Sequence, residues 1–191
     1  RKGAMIELLI SAFITLFVVI DPAGCAPIYA GLSAEAPPRQ QRSMAVKAVL
    51  VATLILLGFA LFGKQLLAAL HIELDSFRIA GGIMLFFIAI DMVFEKRTER
   101  REERAEKIRA HNSQTPEIED ISVFPMAMPM LAGPGAIATV MLVVGQAHGA
   151  EQTLVVLAAL AAVMILSLGA LLLAAPLIRL VGASVEAAIT R

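Results

Sequence analysis

The sequence predicts an all-α fold, a polytopic helical bundle built for a membrane, and three observations carry that prediction. The chain is 59% hydrophobic over 191 residues, above the roughly 45–50% usual for soluble domains. Its charges are segregated: residues 95–120 hold 15 of the 32 charged side chains, while residues 121–178 contain one, Glu151. Apolar runs near the ~20 residues needed to cross a bilayer occur five times. A net charge of zero leaves no basic excess for nucleic acid, and one cysteine cannot build a disulfide framework.

The five runs are roughly 6–32 (interrupted at Asp21), 45–70, 77–94, 121–145 and 154–178. The last is the cleanest, broken only by Ser167, Gly169 and Pro176. Lys64 lies near the end of the second run, where a long side chain can snorkel to the interface. Two connections, near 71–76 and 146–153, are short and suit antiparallel neighbours. With the N-terminus outside, the inner side receives Arg39, Arg42, Lys47, seven cations from Lys96 to Arg109, Arg179 and Arg191. The outer side receives Lys64, Arg78, Arg1 and Lys2. Twelve against four sets the N-terminus outside. Met5 reads as the natural start, which discounts Arg1 and Lys2.

Between Glu95 and Arg109 the charges alternate in sign at helical spacing, as in a solvated helix with i,i+4 pairs. A lipid-headgroup or partner-binding role is the alternative. Residues 110–120, with Pro116 and three acids, read as linker, so 95–120 is expected to be a cytoplasmic loop.

The chain also repeats itself. Residues 17–33 and 129–145 each run apolar, break at a Pro and Gly pair (Pro22 and Gly24; Pro134 and Gly135), then turn apolar again, about 112 residues apart. The same offset pairs the run 45–70 with 154–178 and sets Arg78 against Arg191. A single membrane domain over 1–191 then divides into a first repeat at 5–94, the loop 95–120 and a second repeat at 121–191. Three helices per repeat is an odd number, so the repeats would be inverted, as in secondary transporters. The second repeat lacks its third helix, which predicts a sixth span of roughly 20 residues beyond Arg191.

The breaks are the candidate site. Asp21-Pro22 is an N-cap followed by Pro at the first helical position. About fifteen apolar residues precede it, roughly 22 Å of helix at ~1.5 Å per residue, so the break lies within the membrane. Gly133-Pro134-Gly135 repeats the device with Gly as cap. Unwound backbone at that depth must be buried or line a cavity. Two half-helix N-termini would bring free N–H groups and partial positive charge near the midplane. Asp21 can neutralise its own helix end or receive an ammonium group or proton, and Gly133 leaves the second end open for an anion. One carboxylate and one open helix end suit a zwitterion. Gly24, Gly31, Ala132, Gly133 and Gly135 allow close backbone approach. A simple kink with an Asp-Pro cap is the competing explanation.

Other residues carry less. Asp91 suits either an interfacial position or a proton path. Thr15, Ser122, Thr139 and Ser167 either line a path or bond helix to helix. Pro125 and Pro129 are expected to set kinks, and Met126, Met128 and Met130 to pack. Ala23-Gly24-Cys25 makes a poor lipoprotein box, because Pro22 and Asp21 interrupt it. His71, His111 and His148 fall in loops or tails outside metal-ligand spacing, and no nucleophile element is present, so neither an enzyme nor a metal or cofactor site is expected.

The segments Asp21-Pro22-Ala23-Gly24-Cys25-Ala26-Pro27 and Phe124-Pro125-Met126-Ala127-Met128-Pro129-Met130-Leu131-Ala132-Gly133-Pro134-Gly135-Ala136 resemble the paired signatures of the MarC family. Ala80-Gly81-Gly82-Ile83 leading to Ile90-Asp91 fits as well. Members are bacterial and archaeal inner-membrane proteins, also called small neutral amino acid transporters. The resemblance implies six spans in two inverted repeats, a site at the two discontinuous helices, and proton-coupled movement of glycine- or alanine-like amino acids. A site at the two discontinuous helices puts Asp21, Pro22, Ala23, Gly24 and Cys25 with Gly133, Pro134, Gly135 and Thr139 at the substrate, while the residue types themselves offer Asp21, and Asp91 as the lesser alternative to an interfacial position, for the proton path. The implied partners are the amino acid and the lipid bilayer, with a homo-oligomer admitted. Two positions depart: Cys25 stands where the family usually has Asn, and Ala138 where a Ser often follows, each removing a hydrogen-bonding group. An exporter or channel for another small solute, or a non-transporting assembly or sensor protein, would share these breaks.

Overall fold

The computed structural model describes residues 2–94, 103, 106 and 120–189. All regular structure among the described residues is helical, as predicted. The expected loop helix at 95–109 and linker at 110–119 lie outside the described residues apart from Glu103 and Glu106.

Helix α1 (Lys2–Ile20) and helix α2 (Pro22–Leu32) form one broken span, whose apolar stretch Gly3–Leu32 runs 30 residues. At ~1.5 Å per residue that is about 45 Å, more than the ~30 Å hydrocarbon core. Helix α3 (Pro38–Ala69) opens with Pro at its first position, where a missing N–H costs nothing. It starts seven residues before the apolar run at 45. Hydropathy marks the depth of hydrocarbon, whereas Arg39, Gln40, Gln41 and Arg42 continue the same hydrogen-bonded helix beyond it. Helix α4 (Leu74–Val93) follows a short turn in which His71 takes a left-handed φ of 57°.

The second broken span begins with an irregular wide-turn segment, Ser122–Leu131, and continues as α5 (Pro134–Gln146) after a bend of 53°. Pro125 and Pro129 do more than kink it. Phe124 (φ −126°, ψ 127°) and Met128 (φ −130°, ψ 124°) are extended, because a proline ring crowds the preceding residue out of the α region. Helix α6 (Gly149–Ile189) starts five residues before the predicted apolar run, with the His148 N–H donating to Gln152 Oε1 at 2.7 Å at its start.

Close contacts fix the course of the spans. Lys47 on α3 pairs with Asp120 at 2.5 Å, and Gly63, further along α3, faces Met141 on α5. The second broken span therefore runs parallel to α3. Because α3 returns from the end of α2, the two broken spans run in opposite directions. Helix α4 is antiparallel to α5: Leu74 meets Gly145, Gly81 meets Leu142, and Ile88 meets Gly135. The core holds Leu16, Ile20, Tyr29, Leu56, Leu131, Val140 and Leu160. Large apolar side chains also point outward, Leu54 at 69% exposure and Ile79 at 67%, the pattern of a bundle solvated by lipid.

Candidate functional site at the two helix breaks

The first break centres on Asp21, whose backbone is left-handed (φ 56°, ψ 66°). Few L-residues adopt this conformation, but a short polar side chain that bonds locally tolerates it. Asp21 Oδ1 accepts the Gly24 N–H at 3.0 Å, capping α2. Pro22 has no N–H to return to Val18, so the ladder is interrupted there. The Asp21 N–H still donates to the Phe17 carbonyl at 2.9 Å, and the Cys25 N–H to the Asp21 carbonyl at 3.1 Å. The break therefore leaves the span continuous in direction. Gly24 lets the Asp21 carboxylate sit close: a Cβ there would stand 2.3 Å from Asp21 Oδ2 and would displace it from its capping position. Pro22 and Cys25 are buried, Ala23 is exposed, and the Cys25 thiol lies 3.8 Å from the Ile20 carbonyl.

At the second break Gly133 is buried and extended (φ −77°, ψ 170°), with no side chain capping α5. A Cβ on Gly133 would lie 2.4 Å from the Pro129 carbonyl oxygen, so the irregular segment and α5 can meet only through glycine. Ile137 donates to the Gly133 carbonyl at 3.0 Å, the first regular bond of α5. The N–H groups of Gly135 and Ala136 precede it, at the positive end of the helix. Pro134 is exposed and Ala138 buried.

The breaks adjoin. A Cβ on Gly135 would lie 3.6 Å from Val19 Cγ1, two residues before Asp21, and 2.5 Å from Ile88 Cδ1 on α4. Asp91 follows Ile88 by one turn on α4 and is half-buried. Thr139 is brought near but turned inward: its hydroxyl donates to the Gly135 carbonyl at 2.7 Å, within its own helix. Ser167 likewise bonds to the carbonyl of Val163 at 2.8 Å. Both hydroxyls thus bond within their own helices.

A cavity of about 340 Å³ lies beside the far end of α2, lined by Tyr29, Pro38, Gln41, Arg42, Leu171 and Leu172 together with Pro176. The Tyr29 hydroxyl donates to the Gln41 carbonyl, and Gln41 Nε2 donates to the Ser33 carbonyl at 2.6 Å. These residues were not singled out from the sequence. The available signal was Gln41, a polar residue on the α3 face that also carries Met44, Ala45 and Ala48. At the start of the second broken span, the Lys47 ammonium and then the Ser122 hydroxyl hold the Asp120 carboxyl below the usual carboxylate range.

The model of the MarC family of integral membrane proteins matches residues 6–191. The chain belongs to the MarC family. A UPF0056 membrane protein of Methanocaldococcus jannaschii is 37% identical over 86% of this chain and 75% of its own length. The UPF0056 inner membrane protein YhgN of Escherichia coli K12 is 34% identical over 70% of this chain, which spans only 62% of that relative. UPF0056 membrane protein YvbG of Bacillus subtilis is 31% identical over 85% of this chain and 75% of its own length. No solved structure matches. This MarC-family chain is thus a multi-pass integral membrane protein, as its helices and its relatives agree.

Proposed function

We propose that the chain is part of a secondary transporter that moves small neutral amino acids of the glycine and alanine type, coupled to protons, by alternating access around the two breaks. One observation carries this reading: two broken spans of opposite direction bring a carboxylate-capped helix start and an uncapped one together at Val19 and Gly135. The Gly135 and Ala136 N–H groups suit the substrate carboxylate. Asp21, whose Oδ1 caps Gly24, is the carboxylate at the site whose negative charge suits the substrate ammonium or a proton. The opposite course of the two broken spans supports the inverted-repeat plan.

In this proposal Pro22, Ala23, Cys25, Pro134 and Thr139 shape the site, and Asp91 continues the proton path from Asp21. Cys25 and Ala138 are buried apolar neighbours and supply no substrate hydrogen bond. The N-terminus faces the periplasm, with residues 95–120 on the cytoplasmic side of the inner membrane. No catalytic step is assigned to the chain.

The test is uptake of labelled glycine and alanine into proteoliposomes holding the full-length protein, with and without a proton gradient. Saturable, gradient-dependent uptake, competed by small neutral amino acids and not by large or charged ones, is expected. Absence of uptake of every small neutral amino acid under both conditions would sink the proposal.

A further inference from the structure

Arg42 sits on the outward side of α3, exposed, and makes no hydrogen bond or ion pair among the described residues. Its neighbour in the same region, Lys47, is already compensated by Asp120 at 2.5 Å. Arg42 also heads a slanting ridge at four-residue spacing, Arg42, Val46, Leu50 and Leu54, in which each side chain neighbours the next. The three aliphatic members are 40%, 58% and 69% exposed. Beside this row runs an open groove of about 610 Å³, lined by Arg42, Ser43, Val46, Lys47, Leu50 and Val51.

The length of the row is informative. Twelve residues separate Arg42 from Leu54, about 18 Å at ~1.5 Å per residue. One leaflet is half of the ~30 Å hydrocarbon core, about 15 Å. A cation with a hydroxyl neighbour therefore stands at one end of an aliphatic track about one leaflet deep. We infer that this groove is a binding site for an anionic phospholipid, its phosphate on Arg42 and Ser43 and one acyl chain along Val46 and Leu50 in the groove and on past exposed Leu54 beyond it. The planar guanidinium matches two phosphate oxygens at once. The net negative charge of the lipid answers a cation that has no ion pair among the described residues, which a zwitterionic headgroup with its own ammonium does not. An arginine that merely snorkels to the interface would show no such lipid preference.

The experiment is native mass spectrometry of the full-length protein in detergent, titrated with phosphatidylglycerol or with phosphatidylcholine of the same acyl chains. Phosphatidylglycerol is expected to bind more tightly, and Arg42→Gln to weaken it about fivefold, the worth of one cation near a headgroup, while leaving phosphatidylcholine unchanged. Arg42→Lys retains most of the preference, and Arg39→Gln, a cation outside the groove, leaves it intact. Melting temperatures of the variants confirm that each remains folded. Equal affinity for the two lipids, or an Arg42→Gln variant that binds phosphatidylglycerol like the wild type, overturns the inference. Displacement of the lipid by excess inorganic phosphate also overturns it, since that would mark a site for the free anion.

Discussion

Gly133→Ala is expected to be the most damaging single-methyl change at the site, and the structure says why. The new Cβ would lie 2.4 Å from the Pro129 carbonyl oxygen, whereas a comfortable carbon–oxygen contact is about 3.3 Å. The overlap of about 0.9 Å falls on backbone at both ends, so no rotamer change relieves it. Overpacking of this kind costs about 1–3 kcal/mol, and a rigid partner places it near the top of that range. Gly135→Ala is the matched control. Its Cβ would meet Ile88 Cδ1 at 2.5 Å, the far end of a flexible side chain. Turning that methyl aside costs about 0.5–1.5 kcal/mol. Cys25, the chain's single cysteine and fully buried, supplies the assay: its reaction with a fluorogenic maleimide during a thermal ramp reports opening of the core. At about 2–4 °C per kcal/mol for a chain of this size, Gly133→Ala should melt about 4–12 °C below wild type and clearly below Gly135→Ala. A Gly133→Ala variant within about 2 °C of wild type, or more stable than Gly135→Ala, would refute the close-approach argument.

Further outcomes follow from the same geometry. Gly24→Ala pushes the Asp21 carboxylate off its 3.0 Å bond, costing about 1 kcal/mol as a lost N-cap and weakening alanine binding, measured by titration calorimetry. Thr139→Val removes a bond internal to α5 and should cost no more than about 1 kcal/mol in melting experiments. The lowered Asp120 carboxyl contributes stability that is complete above the ordinary carboxylate value of ~3.9 and is lost as pH falls through its lower folded-state value. Because the Lys47–Asp120 pair is about half exposed, Asp120→Asn should cost less than about 1 kcal/mol at neutral pH. Melting curves of variant and wild type should converge at the acid end.

What could be read from the chain alone follows a physical divide. Asp21-Pro22 and Gly133-Pro134 were legible as breaks because proline lacks an N–H wherever it falls, and the five runs were legible because lipid demands apolar length. The start of α3 at Pro38 was not, since a helix can extend past the hydrocarbon on polar residues. The extended Phe124 and Met128 follow from the prolines after them, a local rule that apolar content masked. The inward turn of Thr139 and the Tyr29–Gln41–Ser33 cluster depend on how helices face one another, which periodicity does not report. Glycine at 24 and 133 reads in the sequence as permissive; only the structure supplies the partners, a displaceable carboxylate oxygen at 24 and a fixed backbone carbonyl oxygen at 133.

The central claim is that the Asp21 carboxylate at the first break takes part in proton-coupled amino acid movement. It is tested most directly by comparing gradient-driven alanine uptake of wild type and Asp21→Asn full-length protein in proteoliposomes. Asn keeps a side-chain oxygen to cap Gly24 but carries no charge. An unchanged melting temperature and loss of the gradient-driven component of uptake are expected. Uptake by Asp21→Asn with wild-type rate, affinity and gradient dependence would contradict the claim.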